Sequence, residues 1–217
     1  LTKNPHKPTF ALLPTGTANV LAIELGIKNF ANAIKAIIKN KASDIFLGQA
    51  KNAKNETRIF TIGSIGFDAQ IVKNVNLTLK RYLGKFAYVI AGIKYFFTSL
   101  PKFIISVSSK KISASWVIFL MGKYYAGSFK LDAKNSLKEP YISIIVFQKN
   151  GFFANFWNIF TLFFKLHKRL KNVQTFTAKN FKIESSKNVA AQIDGDTLPT
   201  NFNQFSVYPT PIKIIQT

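Results

Sequence analysis

The chain reads LLPTGTANVLA over residues 12–22. An apolar run that begins at Thr9 is interrupted there by a proline and a glycine, and small polar residues then lead into apolar residues at helical spacing. This pattern predicts a strand, a tight turn and a helix that Thr17 or its predecessor caps and that Gly26 ends. Because such a junction presents free backbone N–H groups, it is typical of phosphate-binding sites in α/β proteins.

The composition indicates a globular protein that binds no metal through sulfur. The 217 residues are 47% hydrophobic and 14% aromatic, which is enough for a substantial core. The chain contains no cysteine, which excludes disulfides and thiolate metal sites. Its two histidines, His6 and His167, lie far apart in the sequence, and we expect them to be surface or packing residues rather than ligands.

The net charge of +21 allows two interpretations. Lysines are scattered along the whole chain, which is typical of a solvated basic surface, but the same charge favours attraction to a polyanion. No nucleic-acid-binding signature accompanies the lysines, so nucleic acid is the less favoured partner and an anionic membrane surface the more favoured one. No segment reaches the ~20 apolar residues of a spanning helix. Phe86–Ile105 comes closest, but Lys94 interrupts it.

Alternating helix and strand patterns in the first fifty residues give way to patterns that are mainly strand. A helix is predicted from Phe30, and longer helical segments are predicted over Val75–Ser99 and Phe152–Leu170. The predicted strands are Asp44–Gly48, Arg58–Ile62, Trp116–Met121, Tyr141–Phe147, Phe176–Ile183, Phe205–Tyr208 and Ile212–Ile215. The fold class predicted is therefore α/β followed by a larger β-sandwich-like part.

Three further motifs follow the opening turn in a fixed order. They are GSIGFDA at residues 63–69, YYAGSF at 124–129 and QIDGD at 192–196. Together with PTGTAN, this ordered set resembles the diacylglycerol kinase-like lipid kinases of bacteria, relatives of the sphingosine kinases. The resemblance runs from about Thr9 to the last residue.

The resemblance implies a two-domain kinase that uses ATP and Mg²⁺ to phosphorylate a diacylglycerol-like lipid in the cytoplasm, at the inner face of the membrane. Residues 1–48 would be the remnant of an N-terminal α/β nucleotide-binding domain, and residues 49–217 a β-rich lipid kinase domain whose last residues are candidates for returning to the first. By family match, Gly16, Thr17 and Asn19 would bind the nucleotide. Without the family match, the alternative interpretation is that these residues only form the turn and cap the helix.

The resemblance also assigns roles to several of the nine acidic residues. Asp196 would be the general base and Asp194 its support or a magnesium ligand, whereas the residues alone favour an ordinary Asp-Gly turn. Asp44 and Asp68 would face the lipid substrate, with a purely structural role as the alternative. A weaker match implies a structural magnesium at Glu139, with the carbonyl groups of Ser136 and Tyr141.

An aromatic segment, Phe152–Leu166, contains Lys165 near its end and is followed directly by His167, Lys168, Arg169 and Lys171. Aromatic residues beside a cationic cluster are typical of a helix in a membrane interface. The alternative is a buried helix packed on the sandwich.

Relatives carry a Gly-Gly-Asp-Gly-Thr loop before the opening turn, and residues 1–13 contain none. We therefore expect a truncated kinase that alone transfers phosphate poorly, because the loop supplies most of the phosphate-binding N–H groups. Two other functions stay open: a non-catalytic membrane- or lipid-binding remnant of such a kinase, and charge-driven nucleic-acid binding.

Overall fold

The structure is a computed structural model that describes residues 8–74, 100–185 and 187–217. The helix predicted over Val75–Ser99 lies outside these residues, as do His6 and most of Phe86–Ile105. The helices of the described part are α1 (Val20–Glu24), α2 (Phe30–Lys39), α3 (Phe67–Asn74), α4 (Phe152–Phe163) and a short 3₁₀ turn (His167–Arg169).

The strands of the described part lie mostly in antiparallel sheets. In chain order they are β1 (Thr9–Phe10), β2 (Ala42–Ile45), β3 (Gly48–Asn52), β4 (Thr57–Phe60), β5 (Ile62–Ile65), β6 (Phe103–Val107), β7 (Lys110–Ala114), β8 (Trp116–Leu120), β9 (Tyr124–Tyr125), β10 (Phe129–Lys130), β11 (Ile142–Phe147), β12 (Val173–Ala178), β13 (Asn180–Glu184), β14 (Ala191–Ile193), β15 (Asp196–Leu198), β16 (Phe202–Val207) and β17 (Ile212–Ile215).

A small sheet joins the two ends of the described chain. Its order is β1-β17-β2, with β17 parallel to β1 and antiparallel to β2. The N–H of Thr217 also donates to the carbonyl of Leu25, at 3.1 Å. The segment that follows the larger sheets therefore lies between the first two strands and beside the end of α1.

Two six-stranded sheets form the larger part of the fold. Their orders are β12-β11-β8-β5-β14-β15 and β4-β3-β16-β13-β6-β7. The predicted fold class, α/β followed by a β-rich sandwich, is confirmed. The division at residues 48 and 49 stays a prediction.

The strand β8 is buried on both faces because it lies between two cores. Successive side chains of a strand point to opposite faces. Val117 and Phe119 face the core between the two large sheets, whereas Trp116, Ile118 and Leu120 face a second core. Residues of α1, α3 and α4 pack in that second core, so these three helices cover this face of the sheet.

An aromatic cluster fills the core between the sheets. The ring of Phe119 lies 5.1 Å from Phe60, 5.2 Å from Phe181 and 5.0 Å from Phe205, centroid to centroid. Phe181 and Phe205 stack on each other at 4.8 Å. Phe119 therefore connects its own sheet to three strands of the opposite one.

Three predicted strands differ from the structure. The strand predicted over Asp44–Gly48 is divided between the end of β2 and the start of β3. The single strand predicted over Phe176–Ile183 is wrong, because β12 and β13 belong to different sheets and the chain changes sheet at Lys179. The strand predicted over Arg58–Ile62 is broken at Thr61, so the GSIG motif lies partly in β5 rather than after it. The hairpin β6–β7 and the helix α3 were not predicted.

The helix predicted from Phe30 is confirmed as α2, but its apolar stripe faces outward. Phe30, Ile34 and Ile38 are exposed, whereas Ala33 and Ala36 are buried. Small residues let this helix approach the body of the protein closely. None of the helices that the structure describes has the length and apolar character needed to cross a membrane.

Candidate active site

The QIDGD motif forms a two-residue hairpin between β14 and β15. Ile193 pairs with Asp196, and the turn residues Asp194 and Gly195 have φ values of 49° and 91°. Two successive positive φ angles make the turn that Asp-Gly favours between strands. The turn interpretation of this motif is therefore confirmed, and it leaves the Asp196 side chain exposed at the start of β15.

The side chain of Asp194 fastens this hairpin to the start of β5. Its Oδ1 accepts hydrogen bonds from the Thr61 hydroxyl at 2.6 Å, the Thr61 N–H at 3.1 Å and the Ile62 N–H at 3.0 Å. The N–H of Asp194 donates in return to the carbonyl of Ile62. Because these bonds join residues more than 130 positions apart, the carboxylate fixes where the turn lies.

The two carboxylates of the hairpin have different environments. Asp194 is an exposed residue overall, but its carboxylate lies against the backbone of β5, and this loss of solvent raises its pKa above the ordinary value. The hydrogen bonds from Thr61 and Ile62 oppose the rise, and the charge of Asp196 adds to it. The Asp196 carboxylate is exposed and accepts no hydrogen bond from any described residue, so it is available to a ligand.

A second network holds the hairpin from the other side. The side-chain oxygen of Gln192 accepts from the Gly195 N–H at 3.0 Å, and its amide nitrogen donates to the Ser64 hydroxyl at 2.9 Å. Gln192 and Ser64 are both buried. The GSIG and QIDGD motifs therefore form one unit.

The opening turn is organised by Asn19 rather than by Thr17. The Asn19 side chain accepts from the Gly16 N–H at 2.8 Å and donates to the Gly16 carbonyl at 2.7 Å. Because Asn19 lies in the left-handed region with a φ of 49°, α1 begins only at Val20. The predicted cap at Thr17 is thus wrong. Gly16 and Thr17 are exposed, and their nucleotide role stays a prediction.

Glu24, which is not among the predicted site residues, connects the helix after the opening turn to the sandwich. Its Oε1 accepts hydrogen bonds from the N–H groups of Lys123 and Tyr124, the second at 2.7 Å. The next residue back, Gly122, lies so close that an added Cβ would be 2.4 Å from the same oxygen. Met121 then donates to the carbonyl of Thr61, the residue that Asp194 binds. Short contacts thus link α1 to the Asp-Gly hairpin.

Asp68 lies at the start of α3 and binds two aromatic residues. Its Oδ1 accepts from the Trp116 indole N–H at 2.8 Å, and its Oδ2 accepts from the Tyr125 hydroxyl. Burial raises the pKa of Asp68 to about 6, against hydrogen bonds from Ser64 and Trp116 that lower it. Asp68 therefore joins GSIGFDA to YYAGSF. Its predicted role toward substrate is untested.

We expect Asp68→Asn to change how stability depends on pH. An unfolded Asp titrates near 3.8 and the folded one at about 6, so the folded protein binds the proton more tightly and loses stability as pH rises through that window. The variant lacks this loss. Its unfolding free energy relative to the parent should therefore increase by up to about 3 kcal/mol between about pH 4 and pH 7, at about 1.36 kcal/mol per pKa unit. Urea unfolding at each pH measures it.

Asp44→Asn on β2 is the matched control, since Asp44 is exposed and lies opposite Lys213 in the small sheet. A difference between Asp68→Asn and parent that stays constant across this pH range would contradict the assignment.

The loop predicted to hold a structural magnesium is stabilised by hydrogen bonds between its own backbone groups. The Glu139 N–H donates to the Ser136 carbonyl at 3.0 Å, and the Tyr141 N–H donates to the Glu139 carbonyl at 2.9 Å. Glu139 and Tyr141 are exposed. Across residues 8–74, 100–185 and 187–217, no group of three or more His, Asp or Glu side chains is placed to hold a metal. This magnesium site stays a prediction.

Comparisons with known proteins identify relatives of this chain. Residues 1–50 match the family described as diacylglycerol kinase catalytic domain. A diacylglycerol kinase of Bacillus subtilis (strain 168) is 24% identical over 197 residues, which are 88% of this chain and 63% of that protein. The chain thus spans less than two thirds of this relative's length.

A crystal structure of a diacylglycerol kinase from Bacillus anthracis strain Sterne has a similar fold. The superposition has a TM-score of 0.66 at 17% sequence identity, and it covers 97% of this chain and 67% of that one. At this identity the likeness shows a shared fold.

Proposed function

We propose that this chain transfers a phosphoryl group from ATP to the hydroxyl of a diacylglycerol-type lipid. The predicted resemblance to the diacylglycerol kinase-like lipid kinases of bacteria is confirmed by the family match and the curated relative. The reaction would take place in the cytoplasm, at the inner, anionic face of the membrane. The observation that carries the proposal is the Asp-Gly hairpin, in which Asp194 is bound in place and Asp196 is exposed and available.

Asp196 is the proposed general base. The lipid hydroxyl oxygen bonds to the γ-phosphorus while the bond from that phosphorus to the bridging oxygen of ADP breaks, and the hydroxyl proton moves to the Asp196 carboxylate. A base in this role must be in a fixed position and reachable. Asp194 supplies the first property through Thr61 and Ile62, and exposure at the start of β15 supplies the second.

Asp194 is a positioning residue in this proposal. Its Oδ1 already accepts three hydrogen bonds, so it supports the hairpin and leaves Asp196 free to act as the base. A magnesium ion would be held mainly by the substrate phosphates and water, which it commonly keeps as ligands. When bound, the ion would neutralise charge on the phosphates.

The nucleotide would lie against the exposed turn of Gly16 and Thr17. The absence of a side chain at Gly16 permits close approach of a phosphate to the backbone. The contacts through Glu24 hold the helix after this turn against the strand-end segment that also contacts Thr61. In this role Glu24 would keep the nucleotide-binding turn at a fixed position relative to the Asp-Gly hairpin, where the lipid hydroxyl reacts. Asp44 and Asp68 remain the proposed substrate-side carboxylates.

The test is a phosphoryl-transfer assay on the protein at its natural length. Labelled ATP, magnesium and dioleoylglycerol in mixed micelles should yield labelled phosphatidic acid, and chelation of magnesium should abolish it. Parallel arms with ceramide, sphingosine and phosphatidylglycerol identify the acceptor. A folded protein that labels none of these lipids would overturn the proposal.

A second candidate function is a membrane-binding module without kinase activity. It is favoured by seven exposed aromatic residues, six in α4 and one directly after it: Phe152, Phe153, Phe156, Trp157, Phe160, Phe163 and Phe164. Vesicle binding in a protein that labels no lipid would select this function.

A further inference from the structure

The helix α4 (Phe152–Phe163) has its polar side turned inward and its aromatic side turned outward. Asn155, Asn158 and Thr161 are 3%, 1% and 7% exposed, whereas Phe153 and Trp157 are 76% and 53% exposed. A helix on the surface of a water-soluble protein has the opposite arrangement. The predicted alternative, a buried helix packed on the sandwich, is therefore wrong about burial, although the helix does pack on the sandwich.

The polar side of α4 holds the helix to the protein. The Asn158 amide donates to the Lys149 carbonyl at 3.3 Å and accepts from the Asn172 side chain at 3.1 Å. Leu162 and the partly buried Ile159 pack in the second core. The outward direction of the aromatic residues is thus fixed by contacts on the opposite side.

The outward rings touch one another along the helix. Centroid distances are 5.6 Å for Trp157–Phe160, 6.1 Å for Phe156–Phe160 and 4.7 Å for Phe160–Phe164. A further ring from outside the helix, Phe129, stacks on Phe163 at 6.1 Å. The result is one continuous exposed apolar strip, a kind of surface that marks an interaction site.

The stretch of sequence that contains α4 has charges of a single sign. No acidic residue occurs between Glu139 and Glu184 in the sequence, whereas this interval contains Lys149, Lys165, Lys168, Arg169, Lys171, Lys179 and Lys182. Lys168 lies 3.8 Å from Asp132, and its side chain is still half exposed. Four of the cations follow the helix directly, within eight residues of its last one.

We propose that α4 is the docking surface for a bilayer that contains anionic lipids. The helix would lie in the plane of the interface, with the rings of Phe153, Phe156, Trp157 and Phe160 among the acyl chains and the following cations at the lipid phosphates. This deepens the proposed function by naming the surface that meets the membrane, and its biological purpose rests on that function.

The positive charge favours an anionic lipid surface over a second copy of the chain as the partner that covers α4. Each copy has a net charge of +21, so two copies repel each other as they approach. An anionic bilayer neutralises positive charge while it takes up the rings. The lipid surface therefore provides a partner both for the aromatic rings of α4 and for the cations that follow the helix.

The test is co-sedimentation with vesicles of phosphatidylcholine containing a minority of phosphatidylglycerol, without ATP. The triple variant Phe156→Ser, Trp157→Ser, Phe160→Ser should bind at least about tenfold more weakly. The matched control is Phe30→Ser, Ile34→Ser, Ile38→Ser, which removes three exposed apolar side chains from α2. It should bind as the parent does. All six changes are at exposed positions, so circular dichroism should be unchanged.

Tryptophan emission supplies an independent measurement. Trp116 is 4% exposed and Trp157 is 53% exposed, so a blue shift on vesicles and quenching by brominated lipids should arise from Trp157. Both signals should disappear in Trp157→Phe, which keeps an aromatic ring and should still sediment with vesicles.

Three outcomes would overturn the docking proposal. The first is equal binding by the α4 triple variant and the parent, and the second is equal loss in both triple variants. The third is a lipid-free dimer that the α4 changes convert to a monomer, which would assign the strip to a second copy. Since the measurement needs no catalysis, a protein that binds vesicles but phosphorylates nothing leaves this inference intact and refutes only the kinase proposal.

Discussion

Asp196→Asn is expected to lower the rate of lipid phosphorylation by about 10²- to 10⁴-fold, the usual contribution of a general base. The amide has nearly the same shape but cannot take the proton of the lipid hydroxyl. Asp196 lies exposed at the first position of β15, so its replacement leaves no buried group unpaired and the fold should persist. The measurement is kcat for phosphatidic acid formation, together with the unfolding free energy.

The control for this variant is Glu184→Gln, which neutralises an exposed carboxylate in the opposite sheet where it meets Lys111. That change should leave kcat within about twofold, as expected for a surface pair of small energetic value. An Asp196→Asn protein with parental kcat would remove Asp196 from the mechanism. Equal losses in both variants would instead indicate a general effect of the protein's charge.

Phe119→Ala is expected to lower the unfolding free energy by about 3–5 kcal/mol, the cost of removing a large ring from a packed core. Phe119 is fully buried, and its ring contacts Phe60, Phe181 and Phe205. Three strands of the opposite sheet would lose a neighbour at once. Gly63 also lies against this ring, since an added Cβ there would be 2.3 Å from it.

Two comparisons make the Phe119 measurement specific. Phe119→Leu should cost less than Phe119→Ala, because it leaves a smaller cavity. Phe153→Ala removes the same side chain from an exposed position, and its effect should lie within about 0.5 kcal/mol of zero. Urea unfolding gives all three values. Similar losses for Phe119→Ala and Phe153→Ala would show that the inter-sheet cluster has no special role in stability.

The strands that the sequence predicted best are those whose pattern is local. Trp116–Met121 and Tyr141–Phe147 are β-branched and aromatic runs, and they match β8 and β11 to within one residue at each end. The alternation over Phe176–Ile183 was misleading because a strand pattern continues unchanged through the corner at Lys179. A change of sheet depends on distant partners, which a local pattern does not contain.

The candidate site shows the same division. The Asp-Gly turn is a local property and was predictable. The bonds from Thr61 and Ile62 to Asp194 join positions far apart in the chain, and no spacing rule finds them. The sequence does contain one signal for Glu24, which is its place at the last position of a helix. A carboxylate there is unfavourable beside the negative end of the helix dipole, so it requires a partner elsewhere.

The position of β17 between β1 and β2 sets an order of events during synthesis. The ribosome releases β1 and β2 long before β17, so the two early strands have no common neighbour while the sandwich is being made. Pairings between such distant segments carry a large loop-closure cost and form slowly. The sandwich can therefore assemble first, and the segment that bears the opening turn acquires its final support only when residue 215 has emerged.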